Sequence, residues 1–300
     1  MKVKEASRTA EFNALFRALE SSRRPRRKRL FEDPLAPAFL GRKGRKFLRL
    51  SRIPLIGRIV PLYIDRKWPG VRASAVGRTC WIDEYLRAAL QSGINQVVIL
   101  GAGYDCRAYR LPGIERTHIF ELDQPSTLAE KKKCLTFIFG ALPVHVTFVE
   151  VDFNQQELST VLKSSGFDQS TPTFFLLEGV FHYLTAEAVD ATLRSIASVV
   201  SPGSQLIFTY IHQGLLEGSV LFGDMGHVPT TLQESDETWT FGFLPEKLFN
   251  YLSERGFFLV TDVGSTEYRA QYMGSSSRHM KGFEFYRVAL AEVRRFNISS

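Results

Sequence analysis

Glycines and an acidic residue follow two short apolar runs of the sequence in a pattern that could bind a nucleotide. Gly101-Ala102-Gly103-Tyr104-Asp105 comes directly after the run 96–100, and Asp123 lies 20 residues beyond Gly103. Glycines allow a tight turn and a close approach of the backbone to a ligand. An acid at this distance can accept hydrogen bonds from the hydroxyls of a ribose. The alternative role for Asp123 is to cap a helix that starts at Pro125.

Acidic and aromatic residues also follow the next two apolar runs. Asp152-Phe153 comes after 146–151, where an acid can bond the exocyclic amine of adenine and an aromatic ring can cover the base. Helix capping is the alternative for Asp152. Glu178-Gly179 comes after 173–177, where an unpaired buried charge would be costly. A carboxylate at this position suits the ammonium group of a zwitterionic ligand.

Four more side chains belong to the candidate set. Arg78 precedes the first apolar run, and its guanidinium can hold a carboxylate through two parallel hydrogen bonds; an exposed salt bridge is the alternative. Glu121 stands two residues before Asp123. His182 is a candidate general base and Tyr183 a candidate for orienting an acceptor, although a histidine beside aromatic residues is more often simply packed.

Five apolar runs alternate with helical patterns from residue 96 onward. The runs cover 96–100, 117–122, 146–151, 173–177 and 205–210, and helices are predicted over 124–138, 155–165 and 185–200. This alternation is typical of βαβ units and of a parallel sheet with helices on both faces. A helix over 244–255 and two strands at 256–262 and 283–291, forming a terminal hairpin at the sheet edge, complete a Rossmann-like, seven-stranded, mostly parallel α/β sheet. Ligands of such sheets bind outside the carboxyl ends of the strands.

The whole chain, 1–300, is predicted to form a single domain. Residues 1–92 are an N-terminal helical extension, with helices over 9–20 and 74–92, and residues 93–211 are the ligand-binding core. Residues 212–243 are too long for an ordinary loop and are predicted to form a lid-like insertion. Residues 244–300 complete the sheet.

The positive charge is concentrated near the N-terminus. Residues 1–78 contain 21 Lys/Arg and 6 Asp/Glu, whereas residues 79–300 contain 17 and 25. The densest run, 23–29, could attract nucleic acid, anionic lipid or an acidic substrate, but such runs are usually solvated. Because no aromatic residues interleave with the run, a nucleic-acid partner is not expected.

The cysteines and the hydropathy pattern indicate a cytoplasmic protein. Cys80, Cys106 and Cys134 are odd in number, far apart and without CxxC spacing, which argues against a disulfide framework or a metal site. No stretch reaches the roughly 18 apolar residues of a membrane span, and the charged N-terminus lacks a signal core. The oligomeric state stays open.

Several segments, taken in order, resemble the leucine carboxyl methyltransferase family of S-adenosylmethionine-dependent enzymes. The likeness is closer to its bacterial branch of polyketide-type O-methyltransferases, such as the tetracenomycin carboxyl methyltransferase. The segments are GRTCWIDE (77–84), LGAGYDCRAYRL (100–111), FELDQP (120–125), VDF (151–153) and LLEGVFHYL (176–184). Cys106 and Cys80 depart from the family pattern, which usually has threonine and arginine at these positions.

The resemblance implies S-adenosylmethionine as the cofactor and methyl transfer to a carboxylate or hydroxyl oxygen of a small acceptor. It implies that the turn at 101–105 cradles the donor, with Arg78 on its carboxylate and Asp123 on its ribose. It also places Asp152-Phe153 at the adenine and Glu178 near the methionine part. A carboxylate acceptor needs no base at neutral pH, whereas a hydroxyl would benefit from one.

Other classes of function stay open at the level of the sequence. An NAD-dependent oxidoreductase would require a third glycine at position 106, where Cys106 stands. A non-catalytic nucleotide-binding module is a second alternative. Within the methyltransferases, an enzyme that modifies a protein C-terminus or a tRNA is a third.

Overall fold

The protein folds around one seven-stranded sheet. The computed structural model describes residues 8–23, 25–153, 155–220, 222, 239–274 and 280–293. The strand order is β3-β2-β1-β4-β5-β7-β6, and β7 runs antiparallel to both neighbours while the other pairs are parallel. The strands are β1 (Gln96–Leu100), β2 (His118–Asp123), β3 (Val146–Glu150), β4 (Thr173–Leu177), β5 (Gln205–Ile211), β6 (Phe257–Val263) and β7 (Tyr286–Val293). The predicted Rossmann-like α/β class is confirmed.

Eleven α-helices accompany the sheet within the described ranges. They are α1 (Arg8–Ser21), α2 (Arg42–Ser51), α3 (Pro54–Lys67), α4 (Val71–Gln91), α5 (Arg107–Arg110), α6 (Pro125–Phe139), α7 (Leu158–Ser164), α8 (Ala186–Val199), α9 (Gln213–Leu216), α10 (Pro245–Ser253) and α11 (Ser265–Met273). The six helices predicted by apolar periodicity all form, with ends shifted by a few residues. None of the helices in these ranges is long and apolar enough to cross a bilayer.

The two faces of the sheet pack against different helices because successive side chains of a strand point in opposite directions. Val98 and Leu100 of β1 belong to a cluster that includes residues of α7, α8 and α10. Val97 and Ile99 belong to a cluster with α4 and α11. All five residues of β1 are buried, as expected for a central parallel strand. A third cluster joins α1, α2 and α3 to Phe285 beside β7.

The end of the chain differs from the predicted terminal hairpin. The last two strands pair with each other, but α11 lies between them in sequence, and β7 inserts between β5 and β6 so that β6 is the edge strand. The sequence of α11, STEYRAQYM, gave little apolar periodicity, and only Ser265 and Tyr268 in it are buried. Most of the predicted lid, residues 221 and 223–238, lies outside the described residues.

Candidate functional site

The glycine turn after β1 and the acid after β2 meet at the carboxyl edge of the sheet. The backbone N–H of Gly103 donates to Oδ2 of Asp123 at 2.6 Å, and the N–H of Ala102 donates to the carbonyl of Leu122 at 3.0 Å. Parallel pairing of β1 with β2 in register brings these positions together. The 20-residue spacing therefore corresponds to a real juxtaposition in the fold.

The turn requires glycine at position 101. Gly101 has φ +65°, and a Cβ atom there would lie 2.5 Å from Cγ2 of Val180. Both the backbone conformation and the contact exclude a side chain. Glycine at this position therefore lets the turn after β1 pack directly against Val180, which follows β4.

We expect Gly101→Ala to destabilise the chain and to weaken binding of any ligand held by this turn. The strained backbone and the clash with Val180 together should cost about 2 to 4 kcal/mol in the free energy of unfolding. Urea denaturation measures the effect. Gly113→Ala is the matched control, because Gly113 also has positive φ (+84°) but no atom lies within 4 Å of its added Cβ. Equal losses in the two variants would contradict a role for the close contact.

Asp123 is held by backbone donors rather than used as a helix cap. Its Oδ1 accepts a hydrogen bond from the N–H of Gln124 at 2.6 Å, and Gln124, not Asp123, is the N-cap residue of α6. Burial raises the pKa of Asp123, and the two N–H groups partly offset this. A carboxylate has about four acceptor positions, so two hydrogen bonds leave capacity for the hydroxyls of a ligand.

Arg78 and Glu178 form an ion pair at the neighbouring strand end. Nε of Arg78 lies 2.7 Å from Oε1 of Glu178, and its guanidinium stacks 4.5 Å from the ring centre of Tyr286. Nη1 of Arg107 reaches Oε2 of Glu178 at 2.7 Å. Burial would raise the pKa of Glu178, but the charges of Arg107 and Arg78 lower it to about 2. The carboxylate is therefore ionised at physiological pH.

A buried ionic network continues from this pair into the protein. Arg107 also contacts Asp105 and Asp83, and Arg110 contacts Asp83 at 2.7 Å. Burial would raise the pKa of Asp105, but Arg107 in particular holds it below the usual value. Sequence reasoning missed Arg107, Arg110 and Asp83 as members of the site. The available signal was two arginines directly after the glycine turn and an acid five residues after Arg78.

The network reaches α1 through a second buried acid. Arg17 pairs with Asp33 at 2.8 Å and donates to the carbonyl of Tyr104 in the glycine turn. The ring of Tyr104 stacks on Phe39 with 4.9 Å between centres, and burial raises the pKa of Tyr104 to about 12. The N-terminal helices thus fix the outer side of the turn.

Glu121 is brought near the turn but is enclosed beneath it. It is fully buried on β2, and Nζ of Lys131 lies 2.8 Å from its Oε2 and 3.3 Å from the carbonyl of Ala102. Burial raises the pKa of Glu121 to about 7, even though the charge of Lys131 lowers it. This placement favours a supporting role, in which Lys131 ties β2 to the glycine turn.

Asp152 and Phe153 follow β3 on the same edge of the sheet. The N–H of Val151 donates to the carbonyl of Asp123 at 3.0 Å, which joins the ends of β3 and β2. Oδ2 of Asp152 accepts from Gln155 at 3.1 Å, and Glu157, not Asp152, is the N-cap residue of α7. Phe153 is partly buried against the core. These residues therefore occupy a turn next to Asp123.

His182 lies in an aromatic enclosure beside Arg78. The ring is 2% exposed, and the rings of Tyr183, Trp239 and Tyr286 surround it with centres 4.2 to 5.6 Å away. Its Nδ1 has no hydrogen-bond partner in the described part of the chain. Burial, and then the charge of Arg78, lower the pKa of His182 to about 3. The imidazole is consequently neutral at physiological pH.

Gly179 anchors the turn that carries this histidine. Its N–H donates to Oγ1 of Thr209 at 2.8 Å, and Thr209 in turn lies 3.1 Å from the hydroxyl of Tyr286. Gly179 has φ +75°. The turn after β4 is therefore fixed to β5 and to the start of β7.

Comparison with known proteins shows the family to which the chain belongs. The model of the leucine carboxyl methyltransferase family matches residues 10–197. Relatives provisionally named S-adenosyl-L-methionine-dependent methyltransferases occur in Parafrankia sp., 35% identical over 66% of this chain and 61% of its own length, and in Frankia alni, 34% identical over 70% of each chain. The Parafrankia match thus spans less than two thirds of that protein.

Solved structures of the same fold exist. A crystal structure from Thermobifida fusca, provisionally named a methyltransferase, superposes with a TM-score of 0.59 at 16% identity, covering 98% of this chain and 97% of that one. A DUF574 family protein from Streptomyces avermitilis gives 0.57 at 13% identity, with 93% and 97% covered. At such identities these likenesses show the fold.

The sequence relatives carry the name of S-adenosyl-L-methionine-dependent methyltransferases, and the fold is that of a solved structure named as a methyltransferase. Within that class, the chain belongs to the leucine carboxyl methyltransferase family.

Proposed function

We propose that this chain transfers the methyl group of S-adenosylmethionine to an oxygen, of a carboxylate or a hydroxyl group, on a small acceptor. The observation that carries the proposal is the neutral, buried His182 among three aromatic rings, next to the Arg78–Glu178 pair. The partly exposed rings of Tyr183 and Trp239 beside it offer an apolar surface on which a flat acceptor could stack, and polyketides are the first class to test. The matching family is named for methylation of a carboxyl group, and a carboxylate acceptor needs no base at neutral pH.

The Arg78–Glu178 pair matches the charged carboxylate and ammonium groups of the donor's methionine part. Arg78 would bind its carboxylate and Glu178 its ammonium group, so a zwitterion meets a matched pair of opposite charges. The backbone of the turn at 101–105 would lie beneath the donor, because glycine permits a close approach of the backbone to a ligand. Gly179 would hold the turn after β4 in place.

The nucleoside end of the donor fits the ends of β2 and β3. Asp123 would accept hydrogen bonds from the ribose hydroxyls while it also accepts from Gly103. Asp152 would bind the adenine amine, and Phe153 would cover the base. We assign Glu121 a supporting position below the turn.

For methyl transfer, the protein has mainly to position the donor and the acceptor and to keep water out of the site. S-adenosylmethionine, when bound, supplies a methyl group already activated by its sulfonium. The chain holds the two reactants in line and excludes water. Tyr183, next to His182, would orient the acceptor oxygen. For a hydroxyl acceptor, His182 would be the base, and its lowered pKa would limit the proton transfer.

Labelled methyl transfer tests the proposal. The protein is incubated with methyl-labelled S-adenosylmethionine and panels of aromatic carboxylates and polyketide phenols. We expect label either in an alkali-labile methyl ester or in an alkali-stable aryl ether. Label on nitrogen or carbon instead of oxygen would contradict the proposal, as would the absence of transfer to any member of the panels by protein that binds S-adenosylhomocysteine.

The protonation of His182 gives a second prediction. Its pKa is lowered in the folded state, so the unfolded chain binds the proton more tightly and stability falls as pH drops below about 6.5. From pH 7.5 to pH 5, this residue should remove about 2 kcal/mol of stability. Urea denaturation of His182→Gln at both pH values should show a correspondingly smaller loss than the parent. His118→Gln, an exposed histidine at the start of β2, is the control.

Identical pH dependence of stability in His182→Gln and in the parent would contradict a buried neutral imidazole. For a hydroxyl acceptor, the same variant should lower kcat. For a carboxylate acceptor, kcat should change little, which separates the two acceptor classes.

The three free cysteines suit a reducing compartment, and we place the reaction in the cytoplasm.

A further inference from the structure

The hairpin of α2 and α3, residues 42–67, exposes an apolar surface that nothing in the described chain covers. Leu55 and Leu62 are 70% and 69% exposed, and Ile59 lies between them on the same face of α3. Leu50, Ile53 and Tyr63 extend this surface. The opposite face of α3 buries Val60 and Ile64 in the core. An apolar patch of this kind on a folded chain usually marks a binding surface.

The same hairpin is strongly basic. Residues 42–67 contain nine Lys/Arg and one Asp, and all nine basic side chains are exposed. α2 presents five of them in its ten residues, RKGRKFLRLS. Aliphatic side chains surrounded by lysine and arginine are the pattern of helices that lie at the interface of an anionic membrane.

A cavity beside the hairpin is lined in part by arginines that have no ion-pair partner among the described residues. It has a volume of about 270 Å³ and lies between α3, α1 and the start of α4. Its lining includes Arg52 and Arg58, and neither has an ion-pair partner within the part of the chain that the structure describes. Phe16, Leu19 and Ile64 supply apolar walls. This combination suits a phosphate headgroup attached to an apolar chain.

We propose that the α2–α3 hairpin attaches the protein peripherally to an anionic phospholipid bilayer. Leu55, Ile59 and Leu62 enter the interfacial region, while the basic side chains meet the headgroups and the cavity receives one phosphate. A second copy of this chain fits poorly, because self-pairing would bring two strongly basic surfaces together. Nucleic acid fits poorly as well, because most of the exposed apolar side chains are aliphatic and do not stack on bases.

Vesicle co-sedimentation tests the attachment. The full chain is mixed with vesicles of phosphatidylcholine alone or with about one third phosphatidylserine, and bound protein is measured at low and at high salt. We expect binding to the anionic vesicles only, weakened by salt. Leu55→Gln/Leu62→Gln should weaken binding at least about tenfold, because two inserted leucines are lost.

Matched variants separate the surface from general effects. Phe137→Gln/Val144→Gln removes two equally exposed apolar residues elsewhere, 90% and 102% exposed, and should leave binding unchanged. Arg52→Gln/Arg58→Gln should weaken binding about 10- to 30-fold. Arg116→Gln/Lys163→Gln makes the same change in net charge at other exposed sites and should have a much smaller effect.

Three results would overturn the proposal. One is the absence of binding to anionic vesicles at low salt. Another is binding that Leu55→Gln/Leu62→Gln does not weaken, which would indicate simple attraction of a basic protein. The third is a different partner for this surface, shown either by a dimer in solution that this variant dissociates or by tight binding to nucleic acid in place of vesicles. Donor binding measured on the same variants is independent, since neither leucine lies in the methyl-transfer site.

Discussion

Arg107→Met is expected to lower the free energy of unfolding by about 3 to 5 kcal/mol and to weaken donor binding as well. Arg107 is 2% exposed and bridges Asp83, Asp105 and Glu178. Methionine has a similar length and no charge, so the three carboxylates lose their shared partner while they stay out of water. Removal of one member of a buried ion pair typically costs this much. Urea denaturation measures the loss in stability.

Two further variants make the Arg107 result interpretable. Arg116→Met removes an arginine that is 89% exposed and should change stability by less than about 0.5 kcal/mol. Arg107→Lys keeps the charge but loses the forked guanidinium that reaches several carboxylates. Its loss in the free energy of unfolding should lie between those of Arg107→Met and Arg116→Met. If Arg107→Met were within about 1 kcal/mol of the parent, the network would not be a main source of stability.

The stability of the protein at acid pH provides a further test of the same ionic network. The pKa of Glu178 is lowered to about 2 in the folded state, so its contribution to stability is present above about pH 4.5 and is lost as pH falls towards 2. Arg107→Met removes one of the two charges that lower this pKa. The variant should therefore lose less stability than the parent between pH 5 and pH 3, measured by denaturation at each pH.

The local periodicity of the sequence was sufficient for β1 to β5 and for the edge at which their carboxyl ends meet. Each of β1 to β5 is a compact apolar run, and a parallel sheet requires such runs because both faces are covered. The spacing between Gly103 and Asp123 predicted a contact that the fold makes at 2.6 Å. These features depend on a single strand–turn–helix unit at a time, so they can be recognised from adjacent residues.

The ionic network could not be predicted in the same way. Arg78 and Glu178 are 100 residues apart, and Arg17 reaches Tyr104 from a helix 87 residues earlier in the chain. Arg17, Asp83 and Arg107 look like ordinary surface charges in their own segments. Only the packing of α1 and α4 on the strand ends removes these charges from water and makes their pairing obligatory.

Exposure of apolar side chains is a second property that local patterns do not determine. The sequence of α3, PLIGRIVPLYIDRK, reads as a helix that could be buried on several sides. In the structure only one side packs, and Leu55 and Leu62 face outward. Similarly, Glu121 and Asp123 are two residues apart on β2, but Lys131 encloses the first while the second stays partly exposed at the end of the strand. Both distinctions depend on which neighbours pack against the element.

Asp123→Ala is expected to raise the Kd for S-adenosylmethionine and S-adenosylhomocysteine by about 100-fold or more. In the proposed complex the carboxylate accepts from two ribose hydroxyls, and hydrogen bonds to a charged acceptor are worth about 1.5 to 3 kcal/mol each. The substitution also removes the acceptor for the N–H of Gly103, which loosens the turn beneath the donor. Calorimetric titration with both adenosyl ligands, and with NAD as the rival ligand, measures the change.

A neighbouring acid separates ligand recognition from a general loss of charge. Glu150, on β3, is exposed and lies opposite Asp123 of β2 in the strand register. Glu150→Ala therefore removes one carboxylate from the same region without changing the glycine turn. We expect it to bind the adenosyl ligands like the parent. Asp123→Asn tests the geometry, because its amide can accept from Gly103 but opposes an N–H donor to Gln124, and its affinity should be intermediate. Affinity for the adenosyl ligands that survives in Asp123→Ala, or a parent chain that prefers NAD, would place the nucleoside elsewhere and would remove Asp123 from the donor site.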